Sequence, residues 1–287
     1  MGDLRTPREP RRLTPAASPG ELRSPNDTRI EKKTTMNDID TTTADTTPAD
    51  TTPKRLGVIG SGDIGSGIAR LAIAAGYEVV IANSRGPESL ADLVAELGPR
   101  ARAGDARDAV EFGPTPVLAV PLGAYESLPR DAFAGRAVLS TGNYYPHRDG
   151  RIARLDSLEV TTAELEQELL PGAVITKAFN NILFHHIPAL ADSTPRTALP
   201  VFGDDERATA AVSAIVDDLG FEPLDAGTLA ESWRTEPESG AYTPIYAADP
   251  EALAADHLTA VAAPVTVARL RQLLSASQRA DVAARRF

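Results

Sequence analysis

The chain of 287 residues contains no cysteine, so disulfides, thiolate catalysis and cysteine-ligated metal centres are excluded. It has four histidines, and their spacing matches no metal site. The neighbours His185 and His186 would point in different directions on a helix or a strand, so we predict no metal ligand among them. No run of residues approaches the ~18 apolar residues that a membrane helix needs. The N-terminus also lacks the apolar core of a secretory signal, and we expect a cytoplasmic protein without a membrane partner.

The chain has fewer basic than acidic residues. Lysine and arginine total 29 against 40 aspartates and glutamates, which gives a net charge of −11. Phosphate backbones are bound by clustered basic residues, so this balance argues against a nucleic-acid partner. It leaves room for one local basic pocket that binds a phosphorylated small molecule.

Large apolar residues are scarce in residues 1–53, which are rich in Thr, Pro, Asp and Arg. The pentapeptide ADTTP occurs at 44–48 and again at 49–53. Such a segment cannot bury enough apolar surface to offset its ordering entropy, so we predict a disordered extension over 1–53. Met36 is a candidate for the true start of translation.

From Arg55 onward, short apolar runs alternate with segments of helical periodicity. This alternation predicts right-handed βαβ units and a Rossmann-type, doubly wound parallel sheet of the α/β class. We predict an NADP-binding Rossmann domain over 54–155, a smaller C-terminal α/β domain for the substrate over 156–247 and a helical tail over 248–287. The predicted strands are 56–59, 79–81, 116–120, 137–139, 172–175, 199–202 and 221–224, and the main predicted helices are 64–75, 88–97, 206–219 and 251–286 with a break near Pro264.

A glycine-rich turn, GSGDIG, stands between the first predicted strand and the first predicted helix. It matches the G-x-G-x-x-G fingerprint in the strand–turn–helix context that dinucleotide binding requires. The helix N-terminus would attract the pyrophosphate, and Asp63 would cap free N–H groups there and point away from the phosphates. The predicted cofactor-binding residues of this turn are Gly60, Ser61, Gly62, Asp63, Ile64 and Gly65.

An acid is missing where dinucleotide-binding chains usually have one. The second predicted strand is followed by ANSRGPES at 82–89, with Ser84 and Arg85 in place of the aspartate that holds both ribose hydroxyls of NAD. An arginine accommodates a 2′-phosphate through forked, charge-assisted contacts. The sequence therefore favours NADP over NAD.

Several stretches together resemble the NADP oxidoreductases that depend on the deazaflavin coenzyme F-420. The similarity covers about residues 55–246, and the motifs occur in the family's order. The stretches that carry it are GVIGSGDIGSGIA and ANSRGPESL within 57–97, VLAVPLGAYESLP at 117–129, STGNYYPHRDG at 140–150, VITKAFNNI at 174–182, ALPVFGDDE at 198–206 and LGFEPLDAGTLAESWR at 219–234.

The resemblance implies a Rossmann domain followed by a smaller domain, with two coenzymes face to face in the cleft between them. A hydride would pass between NADP(H) and coenzyme F-420, a small-molecule partner. The carry-over places the pyrophosphate at 61–64 and the 2′-phosphate at 84–85. It places Val120 and Pro121 at a strand end beside the dinucleotide, and Gly142 and Asn143 at the next strand end, near the nicotinamide. The long N-terminal segment, the tail and the long loop at 234–246 depart from the family.

Hydride transfer between two bound coenzyme rings needs few catalytic side chains, because the coenzymes carry the chemistry. The alternative is an NADPH-dependent imine, carbonyl or ferric-type reductase, and an imine or carbonyl reductase would need a proton donor. A non-catalytic NADPH-binding sensor is a further alternative. Lys177 and Asn181, four residues apart, would share a helix face if a helix starts early. The tail helices could pack on their own chain or form a homodimer. The candidate catalytic residues are Lys177, Asn181 and His147, with Tyr144 and Tyr145 as further proton donors.

Overall fold

Successive residues of the strands are buried in two different apolar layers, one on each face of the sheet. In the computed structural model, which describes residues 53–285, Val79 and Ile81 pack into one apolar layer while Val80 and Ala82 pack into the other. A strand that buries both of its faces is typical of a parallel sheet between two layers of helices. The predictions for residues 1–53 and for Met36 fall almost wholly outside the described residues.

Eight strands form one sheet in the order β3-β2-β1-β4-β5-β6-β7-β8. This order and the helices on both faces confirm the predicted α/β, Rossmann-type, doubly wound class. The division into domains at 155 and 247 stays a prediction. The strands are β1 (Arg55–Ile59), β2 (Glu78–Ala82), β3 (Ala101–Ala103), β4 (Val117–Leu118), β5 (Ala137–Ser140), β6 (Val174–Lys177), β7 (Ala198–Gly203) and β8 (Glu222–Gly227).

The predicted helix over 251–286 is wrong in extent, because the tail has two short α-helices at Pro250–Ala255 and Val267–Ala276 with a non-helical stretch between them that contains Pro264, which has no N–H for a helix. The other main helices follow the periodic segments of the sequence. α8, for example, begins where Asp205 accepts hydrogen bonds from the N–H groups of Arg207 and Ala208 and ends just before Leu219, near the predicted 206–219. The α-helices are α1 (Asp63–Ala74), α2 (Ala91–Leu97), α3 (Ala106–Phe112), α4 (Pro146–Asp149), α5 (Ala153–Asp156), α6 (Thr162–Leu169), α7 (His186–Leu190), α8 (Glu206–Asp218), α9 (Pro250–Ala255) and α10 (Val267–Ala276), and 3-10 helices cover Pro87–Leu90, Leu122–Ser127, Arg130–Phe133, Leu229–Thr235, Thr243–Tyr246 and Val282–Ala284.

Two strand predictions need correction. β4 has two residues rather than the predicted 116–120, because Pro116 has no N–H for the ladder and the chain turns away at Pro121. β6 begins at Val174 rather than at 172, because the Gly172 N–H bonds back to the Leu170 carbonyl in a turn. β6 also ends two residues later than predicted, at Lys177.

The sheet also changes direction once. β1 to β6 run parallel, but β6 and β7 pair antiparallel, with Thr176 opposite Gly203 and Lys177 opposite Phe202. β8 then pairs parallel to β7. The prediction of an entirely parallel sheet is therefore wrong at this one pair, and the carboxyl ends of β7 and β8 point away from those of β1 to β6.

Candidate active site

The strand order reverses between β1 and β4, and a glycine turn fills the crevice at that point. Gly60 follows β1 with a φ of +109°, and a Cβ on it would lie 2.1 Å from the Ala119 carbonyl oxygen that follows β4. A Cβ on Gly65 would lie 1.9 Å from the Gly60 oxygen. Only glycine fits at these two positions. In open α/β sheets, ligands bind at such a reversal, outside the carboxyl ends of the strands.

The start of α1 faces this crevice. Gly62 is the N-cap, provides no side-chain cap, and has open space where a Cβ would be. The first N–H groups of α1 are therefore free to bind an anion. Asp63 is the first helical residue and is exposed. The expectation that Asp63 caps the helix is wrong, since the cap position belongs to Gly62.

Asn83 ties the end of β2 to the glycine turn. Its Nδ2 donates to the Ser61 Oγ at 3.0 Å, and its Oδ1 accepts the Arg85 N–H at 3.0 Å. These bonds fix the backbone of the Ser84–Arg85 segment while both side chains stay exposed. Within residues 53–285 the Arg85 guanidinium has no hydrogen bond or ion pair, so it is available to a phosphate. No sequence signal assigned this role to Asn83 beyond its place in the stretch that lacks the usual acid.

Two adjoining cavities form one groove along the carboxyl edge of the sheet. The outer cavity has a volume of about 360 Å³ and reaches Ser84 and Arg85. The inner cleft has a volume of about 310 Å³. Both are bounded by Gly62, Ala119, Val120 and Pro121. The structure thus brings the predicted pyrophosphate, 2′-phosphate and nicotinamide residues to one continuous groove, which also contains Gly142 and Asn143.

The inner cleft is closed by an amide pair that joins the ends of β5 and β6. Asn143 Nδ2 donates to the Asn180 carbonyl at 2.6 Å, and Asn180 Nδ2 donates to Asn143 Oδ1 at 3.2 Å and to the Thr235 carbonyl at 2.9 Å. Phe179, next to this pair, has a φ of +61° although it is not glycine. Strain of this kind persists where surrounding contacts hold it, which is common at binding sites.

A buried charge pair lies directly behind Gly142. Glu166 Oε2 accepts from the Ser140 Oγ at 2.7 Å and from the Lys177 Nζ at 3.3 Å, and the Glu166 and Lys177 side chains are fully buried. A Cβ on Gly142 would lie 1.9 Å from Glu166 Oε1. The pair therefore supports the loop after β5 from the side away from the groove.

The predicted catalytic residues do not meet in the cleft. The prediction that Lys177 and Asn181 share a helix face is wrong, because Lys177 ends β6 and the next helix is α7. Asn181 is buried and donates to the Ala241 carbonyl at 2.9 Å. His147 is exposed on α4, with its ring centroid 5.9 Å from that of Tyr145. The residues that line the cleft include none of these three.

The cleft instead holds two tyrosines that the sequence did not pair. The hydroxyls of Tyr145 and Tyr242 are hydrogen-bonded to each other. Burial raises the pKa of Tyr242 well above its ordinary value of 10, and the neighbouring Tyr145 adds to this. Tyr144 turns away, and its hydroxyl lies 3.0 Å from Asp156 Oδ1. Tyr242 was missed because it lies in a loop without periodicity, where no pattern marks it.

Arg148 is the one basic side chain among the residues that line the inner cleft. Its guanidinium stacks on the Tyr145 ring at 4.8 Å and donates to the Asn143 carbonyl at 2.6 Å. It also contacts both carboxylate oxygens of Asp149, at 2.9 and 2.8 Å. Its charge is therefore largely balanced. An apolar wall of the cleft consists of Phe179, Ile182, Leu183 and Phe184.

Within residues 53–285, no cluster of three or more His, Asp or Glu side chains has the arrangement to hold a metal ion. None of the helices described there is both long and apolar enough to cross a membrane.

Comparison with known proteins identifies several relatives. Over 182 residues the chain is 30% identical to Metalloreductase STEAP3 of Rattus norvegicus, a match to 63% of this chain and 35% of that protein. Over 89 residues it is 38% identical to YjhV of Escherichia coli (strain K12), a match to 31% of this chain and 61% of that protein. The chain thus spans about a third and about three fifths of these two curated relatives.

Among solved structures, a hypothetical protein of Sinorhizobium meliloti is 32% identical, with a TM-score of 0.53 over 63% of this chain and 88% of that one. A protein of Arthrobacter sp. FB24, provisionally named an F420-dependent NADP-reductase, is 21% identical with the same TM-score of 0.53 over 63% and 87% of the two chains. The second likeness shows the shared fold.

The family model that matches is described as "NADP oxidoreductase coenzyme F420-dependent", and it covers residues 55–144. That range holds the glycine turn, the Ser84–Arg85 segment, the strand end at Val120–Pro121 and the loop to Asn143. These residues line the groove, and over residues 55–144 the chain matches the F-420-dependent NADP oxidoreductase family.

Proposed function

We propose that the protein is an NADP(H)-dependent oxidoreductase that transfers a hydride within the groove. The observation that carries the proposal is the continuity of the groove from the exposed Arg85 guanidinium, past the N-terminus of α1, to Asn143 in the inner cleft. A dinucleotide has the same sequence of groups: a phosphorylated ribose, a pyrophosphate and a nicotinamide. The match of charge and order favours NADP over NAD.

Each part of the groove has its own role in this proposal. Ser84 and Arg85 hold the 2′-phosphate, and the N–H groups at 61–65 hold the pyrophosphate. Val120, Pro121, Gly142 and Asn143 position the nicotinamide, which supplies or accepts the hydride when it is bound. The apolar wall at 182–184 keeps water from the reacting carbon, and a dry site strengthens the electrostatic contacts made there.

Coenzyme F-420 is the first acceptor we propose, and the family model that matches residues 55–144 supports it. The chain's own relatives also include a metalloreductase, so a ferric acceptor is an alternative. A C=O or C=N acceptor is the second candidate, and a specific observation favours it: the inner cleft contains two hydroxyl groups that can donate a proton. A cytoplasmic location and a homodimer remain predictions.

The test combines binding with turnover. NADPH and NADH are titrated by the change in their fluorescence, and NADPH oxidation is then followed at 340 nm with coenzyme F-420, a ketone, an aldehyde, a cyclic imine and a ferric chelate. The proposal expects tighter binding of NADPH than of NADH and turnover with at least one acceptor. Tight NADPH binding without turnover would instead support a sensor, and failure to bind NADPH would refute the proposal.

A further inference from the structure

The inner cleft carries a hydroxyl pair that hydride transfer between two rings does not need. Tyr145 and Tyr242 come from segments 97 residues apart in the chain, one after β5 and one before the 3-10 helix Thr243–Tyr246. Both line the cleft together with Asn143.

We propose that Tyr145 and Tyr242 are the proton-donating pair of this site and that the acceptor they serve is a small, uncharged carbonyl compound. This inference rests on the proposed function, because it requires bound NADPH as the reductant. It names the acceptor class of the same groove and assigns catalytic residues that family membership does not supply.

The chemistry of the acceptor explains why the pair points to a carbonyl. When a hydride adds to the carbonyl carbon, the π electrons move to the oxygen, which becomes a strongly basic alkoxide and takes a proton from one tyrosine. That tyrosine regains its proton from its partner and from solvent. NADPH is oxidised to NADP⁺ and the carbonyl is reduced to an alcohol, with one proton consumed. A deazaflavin spreads the same charge over its ring system and needs a proton donor far less.

The Tyr242 hydroxyl is protonated in this site. Burial and the adjacent Tyr145 raise the pKa of Tyr242, so its hydroxyl keeps its proton throughout the neutral range. An alkoxide is a stronger base than a phenolate, so an alkoxide formed in the cleft can take this proton.

Charge and size in the cleft favour an uncharged and small acceptor. Arg148 is the basic residue of the lining, and both carboxylate oxygens of Asp149 lie within 2.9 Å of its guanidinium nitrogens. The negative charge of Asp149 offsets the positive charge of Arg148 and weakens the attraction of the cleft for a carboxylate or phosphate. Asp63 adds a negative charge at the outer end. The cleft volume of about 310 Å³ is at the lower end for ligand sites, which run from about 300 to 1,000 Å³. The apolar wall at 182–184 would contact the alkyl part of the acceptor.

The experiment uses the full chain, with cyclohexanone and butanal as carbonyl probes and coenzyme F-420 in parallel. The variants are Tyr145→Phe and Tyr242→Phe, which keep the rings and remove the hydroxyls. Tyr77→Phe is the control, because Tyr77 is a buried tyrosine with a raised pKa that lies outside the cleft, where its hydroxyl bonds to Asp218. The readouts are NADPH affinity, kcat, and the alcohol product measured by gas chromatography.

We expect the wild type and Tyr77→Phe to form alcohol, and each cleft variant to lose about 100-fold or more in kcat, the range of a general acid, with NADPH affinity unchanged. Cleft variants within threefold of the wild-type kcat would overturn the inference, and so would a wild type that binds NADPH but reduces neither probe. In that last case, reduction of coenzyme F-420 would leave the proposed function intact. A wild type that does not bind NADPH would refute both.

Discussion

Replacing Arg85 with alanine tests the part of the groove that distinguishes NADP from NAD. The Arg85 guanidinium is exposed, and within residues 53–285 it has no protein partner to lose. Its backbone is fixed by the bond from its N–H to Asn83 Oδ1, which the substitution retains. The variant therefore removes the phosphate contact and little else.

The size of the effect follows from the exposure of the contact. A hydrogen bond to a charged group contributes about 1.5–3 kcal/mol, and solvent screening at an exposed site favours the lower part of that range. With a tenfold change for each 1.4 kcal/mol, NADPH affinity should fall by roughly 10- to 30-fold. NADH has no 2′-phosphate, so its affinity should stay the same.

The assay is a fluorescence titration of both nucleotides against the wild type, Arg85→Ala and Arg207→Ala. Arg207 is a matched control, because it is an exposed arginine that does not line the groove. Raising the ionic strength should reduce the difference in NADPH affinity between the wild type and Arg85→Ala, since salt screens an exposed charge. An equal loss for NADPH and NADH, or no loss for either, would refute the assignment of the phosphate to Arg85.

Three further predictions concern residues that stabilise the fold. Lys177→Ala leaves the Glu166 carboxylate buried without its partner, so urea unfolding should show a loss of about 3–5 kcal/mol, and a stable variant that only loses turnover would restore Lys177 as a catalytic residue. Gly142→Ala places a Cβ 1.9 Å from Glu166 Oε1 and should weaken NADPH binding or cost about 1–3 kcal/mol of stability, whereas Gly123→Ala, with open space at its Cβ, should change neither. Burial lowers the pKa of His186 below its ordinary 6.5. Below about pH 6.5 the unfolded chain therefore binds more protons than the folded chain, and the stability of the fold should fall as the pH drops. In thermal unfolding between pH 5 and 7, the melting temperature of His186→Gln should depend less on pH than that of the wild type.

The cofactor half of the groove could be predicted from the sequence because its signals are local. The glycine turn, the helix after it and the second strand lie within about 30 residues, and each constrains the next through backbone geometry. Ser84 and Arg85 stand at a fixed distance from that turn. Their positions in the structure follow from the βαβ unit alone.

The acceptor half could not be predicted, because its residues meet only through long-range packing. Tyr145 and Tyr242 are brought together by the order of strands, and no periodicity marks the loop that contains Tyr242. The predicted placement of Lys177 after the strand was wrong for a related reason. β6 runs two residues later than predicted, so Lys177 ends the strand and its Nζ contacts Glu166 on α6. A catalytic role for Lys177 stays a prediction.

The reversal of direction between β6 and β7 has a consequence for how such a chain can diversify. The loops after β1, β4 and β5 border the groove, whereas the carboxyl ends of β7 and β8 lie at the opposite edge of the sheet. Insertions directly after β7 are remote from the groove. The chain after β8 returns to the inner cleft, where Tyr242 and Thr243 line it. Acceptor preference can therefore drift through one loop while the nucleotide end is inherited unchanged.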